Sequence, residues 1–161
     1  LLAKHLPNHF HGWQVLHIAG SKHVKTVEKY WELTKIPYRV VDYVQNMGLA
    51  WGITDLAVTR GGANTIAELA INAIPAVVLP YPYHQDEHQR TNAEPLEEIG
   101  GIIIEKDYIN TVQNISNAGE TILSLLKDHQ KRFEMRGALI SLKPVNGAYE
   151  VGQACIRSIN V

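Results

Sequence analysis

The side chains of this chain that are best suited to binding a ligand fall within the segment Asp55–Ala93. One group follows a first apolar run, and a second group follows the next apolar run. If both runs are parallel strands, the two groups meet at the carboxyl ends, where open α/β sheets bind ligands. The segment therefore predicts a site for an anionic, polyhydroxylated ligand, with a nucleotide sugar as the leading candidate. The groups comprise Arg60, Gly61, Gly62, Thr65 and Glu68, then the stretch His84–Asn92.

The turn after the first run, Thr59–Thr65, combines a strand end, two adjacent glycines and a helix start. Free amides and the dipole at a helix amino terminus favour phosphate oxygens. Glycine pairs are also common in ordinary strand–helix turns, and this spacing matches neither the dinucleotide fingerprint nor the P-loop. Taken alone, the turn fits either a phosphate site or a plain connection.

Glu68 lies about one turn beyond Asn64 and Thr65 on a predicted helix whose apolar stripe runs through Ile66 and Leu69. Its carboxylate could accept hydrogen bonds from both vicinal hydroxyls of a ribose, or it could be a solvated glutamate. The spacing does not decide between them. Arg60 could pair with Glu68 or with phosphate, and that choice also stays open.

The loop after the second run begins with Pro80 and Pro82, which end the strand and stiffen the chain. The dense group of donors and acceptors that follows suits sugar hydroxyls. His84 and His88 are four residues apart, as in a helical zinc pair. The HExxH order is absent and no third ligand is evident, so no metal site is predicted.

Alternating strand and helix patterns must position these residues. Apolar strands between helices predict an α/β fold with three layers, a Rossmann-like parallel sheet covered on both faces, and a helical tail beyond Asp107. The strands are predicted at Trp13–Ala19, Arg39–Tyr43, Leu56–Val58, Ala76–Leu79 and Gly101–Glu105. The helices are predicted at Lys22–Thr34, Gln45–Trp51, Ala63–Asn72, Glu87–Glu98, Val112–Lys127, Gln130–Ile140 and Ala148–Ile159.

The 161 residues are expected to form a single domain. A net charge of −1 excludes a global basic field for nucleic acid, and the single cysteine, Cys155, excludes an internal disulfide. Leu1–Leu6 reads as the tail of a helix, with no strand or glycine turn before it. A doubly wound domain usually opens with that unit, so we expect a fragment that begins inside the first helix.

Two other regions allow weaker interpretations. The turn at Tyr43–Met47 could offer a backbone amide and carbonyl to a base edge, although an ordinary strand exit explains it more simply. His17 could be a core histidine or could line the cleft. The tryptophans Trp13, Trp31 and Trp51 are interpreted as packing residues.

Five segments in this order resemble the carboxyl-terminal half of the MurG family of glycosyltransferases, family 28 with the GT-B fold. They are WQVLHIAG, DYVQNM, DLAVTRGGANTIAELA, PAVVLPYPYHQDEHQRTNAEPL and GGIIIE. That family moves N-acetylglucosamine (GlcNAc) from UDP-GlcNAc onto lipid I, forming lipid II in peptidoglycan synthesis. The resemblance covers most of the chain to about residue 105 and loosens in the helical tail.

The resemblance implies roles for individual residues. Backbone groups of Tyr43 and Val44 would hold the uracil, and Glu68 would bind the ribose hydroxyls. Ala63, Asn64 and Thr65 would face the diphosphate and sugar, and Arg60 matches the family's arginine at the strand end. His88 and Gln89 fall where the family has a Gln-Gln pair that reads the GlcNAc hydroxyls, so the role of His88 is less certain than that of Gln89. The general base belongs to the amino-terminal domain, so no catalytic residue is expected in this chain.

The resemblance also implies partners and a location. UDP-GlcNAc would be the donor substrate, no cofactor would be tightly bound, and Mg²⁺ could assist. Lipid I would bind through the absent domain, and the full-length protein would be peripheral on the cytoplasmic face of the membrane. The isolated chain would be inactive or nearly so. Alternatives are another UDP-sugar enzyme, such as an epimerase or a lipid glycosyltransferase, and a non-catalytic nucleotide-binding module.

Overall fold

Five short strands alternate with helices in the computed structural model, which describes residues 10–83, 87–142 and 147–159. The predicted element types are confirmed, with boundaries that mostly differ by one or two residues. The predicted helix tail at Leu1–Leu6 lies outside the described residues. The strands are β1 (Val15–Ile18), β2 (Tyr38–Val41), β3 (Ala57–Thr59), β4 (Ala76–Val78) and β5 (Ile102–Ile104). The first four helices are α1 (Val24–Glu32), α2 (Met47–Gly52), α3 (Ala63–Asn72) and α4 (His88–Glu98).

The carboxyl-terminal third is helical, as predicted. One nearly continuous stretch comprises α5 (Thr111–Asn114), π-helical turns at Ile115–Gly119 and α6 (Glu120–Lys127). It starts where the Asn110 side chain caps α5 by accepting a hydrogen bond from the Gln113 amide. Two further helices follow, α7 (His129–Ile140) and α8 (Gly147–Ile159). Within the described ranges, no helix is long and apolar enough to cross a membrane.

All five strands run parallel to their neighbours, but their hydrogen bonds divide them into two sheets rather than the one that the sequence predicts. β1 pairs with β2, and a second sheet has the order β3-β4-β5. No ladder joins β1 to β3 in the described part of the chain. The α/β class with parallel strands is therefore confirmed, and the division into two sheets is a correction.

The second sheet is covered on both faces, because the side chains of β4 alternate between two helical layers. Ala76 and Val78 are fully buried in a cluster with residues of α3, α4 and α7, including Leu69. Val77, which points the other way, is buried among residues of α6 and α7. The strand β4 is thus buried on both faces, and this burial fixes the position of the carboxyl ends of β3 and β4 relative to the helices. In β1, by contrast, Leu16 and Ile18 are exposed.

Candidate functional site

Gly61 is the point of contact between the two polar segments that follow β3 and β4. Its φ of +86° belongs to the left-handed region. A Cβ atom at this position would lie 2.7 Å from the Gln89 carbonyl oxygen and 2.9 Å from a Val78 methyl carbon. The Asn92 side-chain amide lies 3.5 Å from the Gly61 carbonyl oxygen and donates to it. The turn after β3 therefore packs directly against the start of α4, and this close contact leaves room only for glycine at position 61.

The amino terminus of α3 is open to a ligand. Gly62 is its N-cap residue, has extended backbone and supplies no side-chain cap. Ala63, Asn64 and Thr65 form the first turn, and the first helical hydrogen bond runs from the Ile66 amide to the Gly62 carbonyl. First-turn amides have no partner inside a helix, and the helix dipole makes this end attractive to anions. The arrangement is compatible with phosphate binding, one of the two interpretations that the sequence leaves open.

Glu68 is neither a freely solvated glutamate nor a partner of Arg60. It is half-buried, and its Oε2 atom accepts a hydrogen bond of 2.8 Å from the indole nitrogen of Trp51. Trp51 lies on α2 and packs against the core cluster beneath α3. The interpretation of Trp51 as a packing residue is correct but incomplete, since its polar atom holds a proposed ligand-binding side chain.

Arg60 pairs with Asp107, a residue that the sequence analysis missed. Its Nη1 atom lies 2.5 Å from Asp107 Oδ2 and 3.2 Å from the Leu79 carbonyl oxygen. The guanidinium carbon lies 5.8 Å from the centroid of the Tyr81 ring. The Arg60 side chain is 53 % exposed, so part of the guanidinium still faces solvent at the strand ends.

Asp107 is a well-satisfied carboxylate with a side chain only 10 % exposed. Its Oδ1 atom accepts from the Asn114 side chain at 2.7 Å and from the Ile109 amide at 2.9 Å. Burial raises the pKa of Asp107, but hydrogen bonds from Arg60, Asn114 and the Ile109 amide outweigh it. The pKa is therefore lowered, and the charged form is favoured.

Gln89 lies at the second position of α4, half-buried, where its side-chain oxygen accepts a hydrogen bond of 2.8 Å from the Tyr81 amide. This bond directs the two side-chain N–H donors of Gln89 away from Tyr81. His88, the first residue of α4, is exposed. Glu87 before it has a left-handed φ of +47°. His84 and Asp86, which belong to the same predicted loop, lie outside the described residues.

Tyr43 and Val44 lie between β2 and α2, with Tyr43 exposed and Val44 half-buried. In residues 10–83, neither one makes a backbone–backbone hydrogen bond. Their peptide groups can therefore serve a flat base edge. They connect to the rest of the site through α2, which carries Trp51 and hence holds Glu68.

The described residues contain no group of three or more His, Cys, Asp or Glu side chains that could hold a metal ion. Two charged groups of the site each have a protein partner and can still contact a ligand. Trp51 holds Glu68, and Asp107 holds Arg60. The site consists of helix-terminal amides, one carboxylate, one guanidinium and one amide side chain, a set suited to a phosphorylated sugar derivative.

Comparison with known proteins gives a consistent result. The family model described as the glycosyltransferase family 28 C-terminal domain matches residues 2–149. A relative from Hahella chejuensis is named UDP-N-acetylglucosamine–N-acetylmuramyl-(pentapeptide) pyrophosphoryl-undecaprenol N-acetylglucosamine transferase. It is 33 % identical over 142 residues, which cover 88 % of this chain and 39 % of the relative. An Aquifex aeolicus relative with the same name is 33 % identical over 136 residues, 83 % of this chain and 38 % of its own.

The fold is similar to that of the Acinetobacter baumannii MurG crystal structure, with a TM-score of 0.76 and 24 % sequence identity. That similarity covers 93 % of this chain and 44 % of the MurG chain. The present chain thus spans about two fifths of the length of the relatives that it matches. The resemblance inferred from the five sequence segments is confirmed at the level of family and fold.

Proposed function

We propose, because this chain belongs to glycosyltransferase family 28 and carries its carboxyl-terminal domain, that it binds UDP-GlcNAc as the donor half of an inverting N-acetylglucosaminyltransferase. The full-length enzyme would transfer GlcNAc to lipid I and form lipid II in peptidoglycan synthesis. The names of the relatives describe an N-acetylglucosamine transferase of this kind. These names support the proposed enzyme class and donor, whereas the acceptor site would belong to another domain of the full-length protein.

The observation that carries the proposal is the close approach of two turns at Gly61. It places the open amino terminus of α3 beside the start of α4, with the Gln89 carbonyl 2.7 Å from where a Cβ would stand. An anion-binding helix end and a hydrogen-bonding side chain are thereby neighbours. A diphosphate attached to a sugar needs that combination.

Each part of the donor has a proposed partner. The backbone of Tyr43 and Val44 holds the uracil, and Glu68 accepts hydrogen bonds from the ribose hydroxyls. The diphosphate lies at the first turn of α3, formed by Ala63, Asn64 and Thr65, with Arg60 beside it. The side chains at the start of α4, His88 and Gln89, read the GlcNAc hydroxyls.

The chemistry proposed is displacement at the anomeric carbon. The acceptor hydroxyl oxygen forms the new bond to that carbon and gives its proton to a base from the other domain. The bond to the β-phosphate oxygen breaks, and UDP leaves with the electron pair. The α3 amides, with Arg60, stabilise the charge that grows on the diphosphate. Mg²⁺, when bound, would supply further positive charge to compensate the diphosphate.

The remaining parts of the proposal concern the whole protein. A second domain would bind lipid I and supply the base, and the complete enzyme would be peripheral on the cytoplasmic face of the membrane. We propose that the present chain forms one domain. Among the described residues, β1 and β3 each have an edge that a further parallel strand could pair with.

Isothermal titration of this chain with UDP-GlcNAc, UDP-glucose and UDP-N-acetylgalactosamine tests donor binding. We expect UDP-GlcNAc to bind most tightly.

Substitutions in the site test the proposed contacts. Glu68→Gln should weaken the binding of all three ligands by about tenfold, because it removes a charged acceptor. Gln89→Ala should abolish the preference among the sugars. Glu98→Gln on the exposed side of α4 is the matched control, expected to leave all affinities unchanged. Equal affinity for the three ligands would favour a simple nucleotide-binding module, and no binding would contradict the proposal.

A transfer assay with a lipid I analogue tests the division of labour between domains. We expect no measurable transfer by this chain alone, because it cannot bring donor, acceptor and base together. Addition of the amino-terminal domain as a separate polypeptide should restore activity at least in part. Turnover by the isolated chain would show that the reacting groups are all present in it.

A further inference from the structure

Trp51 combines a packing contact with a polar one. Its ring packs against the core cluster under α3, while its indole N–H donates to Glu68 Oε2 at 2.8 Å. The two residues are 17 positions apart and lie on different helices. We propose that Trp51 is a positioning residue that orients the Glu68 carboxylate for the two hydroxyls of the ribose, an inference that rests on the donor-binding function proposed above.

The chemistry of the two side chains suits this role. A carboxylate offers about four lone-pair positions on two oxygens, so it can accept from Trp51 and still accept from two hydroxyls. Indole has a single N–H donor and no acceptor, so it holds Oε2 without competing for the hydroxyl hydrogens. A glutamate without such a contact samples many rotamers, and ordering it on binding costs free energy. Trp51 orders the carboxylate before the ligand arrives.

The neighbouring groups leave this task to Trp51. In the described part of the chain, the indole supplies the one hydrogen bond that Glu68's carboxylate receives. The Asn72 side chain donates to the main-chain oxygen of Glu68 instead. Arg60, the cation at the same strand ends, is engaged by Asp107. The orientation of the carboxylate therefore depends on α2 and on the core that holds α2.

The position of α2 adds a consequence for the whole donor site. Val44, which with Tyr43 is proposed to hold the base, lies three residues before the first residue of this helix, and Trp51 lies in its last turn. One short helix thus connects the backbone that would meet the uracil with the carboxylate that would meet the ribose. A ligand that carries both groups would be recognised by one connected unit.

The test compares two variants that separate the hydrogen bond from the packing. Trp51→Phe keeps an aromatic ring but loses the donor. Trp51→His loses ring volume but can place a ring N–H at the corresponding atom. Each protein is titrated with UDP and with 2′,3′-dideoxy-UDP, and its thermal unfolding is measured. We expect wild type to prefer UDP by about tenfold, Trp51→Phe to lose most of that preference through weaker UDP binding, and Trp51→His to retain it.

Other outcomes have distinct meanings. If Trp51→Phe weakens both ligands equally, or Trp51→His loses the preference as well, Trp51 acts by packing alone and the inference is wrong, while the proposed function stands. If wild type binds UDP-GlcNAc but does not distinguish UDP from the dideoxy analogue, Glu68 does not read the ribose and the inference also fails. If wild type binds neither UDP-GlcNAc nor UDP nor the dideoxy analogue, the proposed function itself fails.

A second measurement avoids substitution of Trp51. Wild-type protein is labelled with 5-fluorotryptophan, and its ¹⁹F resonances are assigned with Trp13→Phe and Trp31→Phe. The Trp51 resonance should shift on addition of UDP and stay nearly unchanged with the dideoxy analogue at equal saturation. Equal shifts with both ligands would contradict a link between Trp51 and the ribose hydroxyls.

Discussion

The two adjacent glycines of the turn differ in what their surroundings allow. Gly61 has φ +86° and no room for a Cβ, whereas a Cβ at Gly62 would meet nothing within 4 Å. Gly62 has φ −61°, which any residue adopts. Packing therefore explains the first glycine only. The open space at the second lies where the diphosphate is proposed to bind.

Gly61→Ala should lower the free energy of unfolding by roughly 2 to 4 kcal/mol, because the new methyl group meets a main-chain carbonyl in a strained backbone region. Gly62→Ala, the matched control, should change stability by less than about 1 kcal/mol and yet weaken UDP binding several-fold. Urea denaturation and calorimetric titration measure the two effects. Equal stability of the two variants would mean that the turn can rearrange.

His17 is a core-facing histidine that accepts a hydrogen bond of 3.1 Å from the indole nitrogen of Trp31 on its Nδ1 atom. Burial lowers the pKa of His17 below 6.5, because it disfavours the charged form. The unfolded chain thus binds the proton more readily than the folded one. Stability is complete above pH 6.5 and falls as the pH drops below that value.

Unfolding followed between pH 5 and 8 checks this prediction. His17→Asn keeps an acceptor near the position of Nδ1 but cannot take up the proton, so the pH dependence just below 6.5 should shrink. His11→Asn, at an exposed position, serves as the control and should behave like wild type. A steeper fall in the His17→Asn protein would indicate that another group titrates there.

The sequence predicts those site residues that lie close together along the chain, but it does not predict the distant residues that hold them in place. The turn at Gly61–Thr65 and Glu68 lie within one strand–helix unit, and their strand-end position follows from local pattern. The partners Trp51 and Asp107 are 17 and 47 residues away from the side chains that they hold. Such contacts leave no periodic signal in the sequence, because they depend on how separate elements pack.

At the scale of elements, the connection from β5 to α5 is built around Asp107. Its carboxylate receives three donors, from Arg60, from Asn114 and from the Ile109 amide. Ile109 adopts a left-handed φ of +58°, a strained conformation for a β-branched residue. The buried Asn114 side chain also accepts from the Tyr108 amide. The loop is thus held in one shape that presents the carboxylate to Arg60.

Asp107→Ala should lower the free energy of unfolding by about 2 kcal/mol, because it leaves the buried Asn114 donor and the Ile109 amide without an acceptor. Asp42→Ala, at an exposed position, should have little effect.

The lowered pKa of Asp107 adds a pH dependence to stability. The contribution of Asp107 to the free energy of unfolding is present above pH 3.8 and is lost as the pH falls through the folded-state pKa. Denaturant unfolding between pH 2.5 and 5 measures both, and parallel curves for wild type and Asp107→Ala would contradict the second.

Element types follow from the sequence because apolar periodicity and breakers act locally. The helix predicted at Ala63–Asn72 has those bounds in the structure, with Gly62 before it and a left-handed Ala73 after it. The π-helical turns at Ile115–Gly119 and the break between sheets do not follow. Both depend on how distant segments pair, and binary patterning contains no information about register between elements.

At the scale of the whole molecule, β1 and β3 each have one edge without a neighbouring strand among the described residues. The Val15 and Ala19 amides of β1 and its extension donate toward β2, so the Leu16 and Ile18 amides point away from it. In β3 the Ala57 amide donates toward β4, which leaves the Val58 amide on the opposite side. The same three side chains are 41 to 44 % exposed. Unpaired peptide groups and exposed aliphatic side chains therefore coincide.

Doubly wound sheets of the order 3-2-1-4-5-6 place their first strand in the middle. One further parallel strand between β1 and β3 would produce that order and would make the two sheets one, with β1 as its second strand. Such a strand would also cover the exposed edges, which sheets otherwise protect from association. We therefore expect a longer polypeptide of this protein to contain such a strand.

Amide hydrogen exchange compares the present chain with such a longer polypeptide. In this chain, the Leu16, Ile18 and Val58 amides should exchange much faster than that of Val77, which lies on the central strand of its sheet. In the longer protein the three amides should become protected together by about tenfold or more, because one added strand would bond to both edges. Val77 serves as the internal reference and should change less. If Leu16 and Ile18 gained protection without Val58, the new strand would extend only the first sheet, and the two sheets would remain separate.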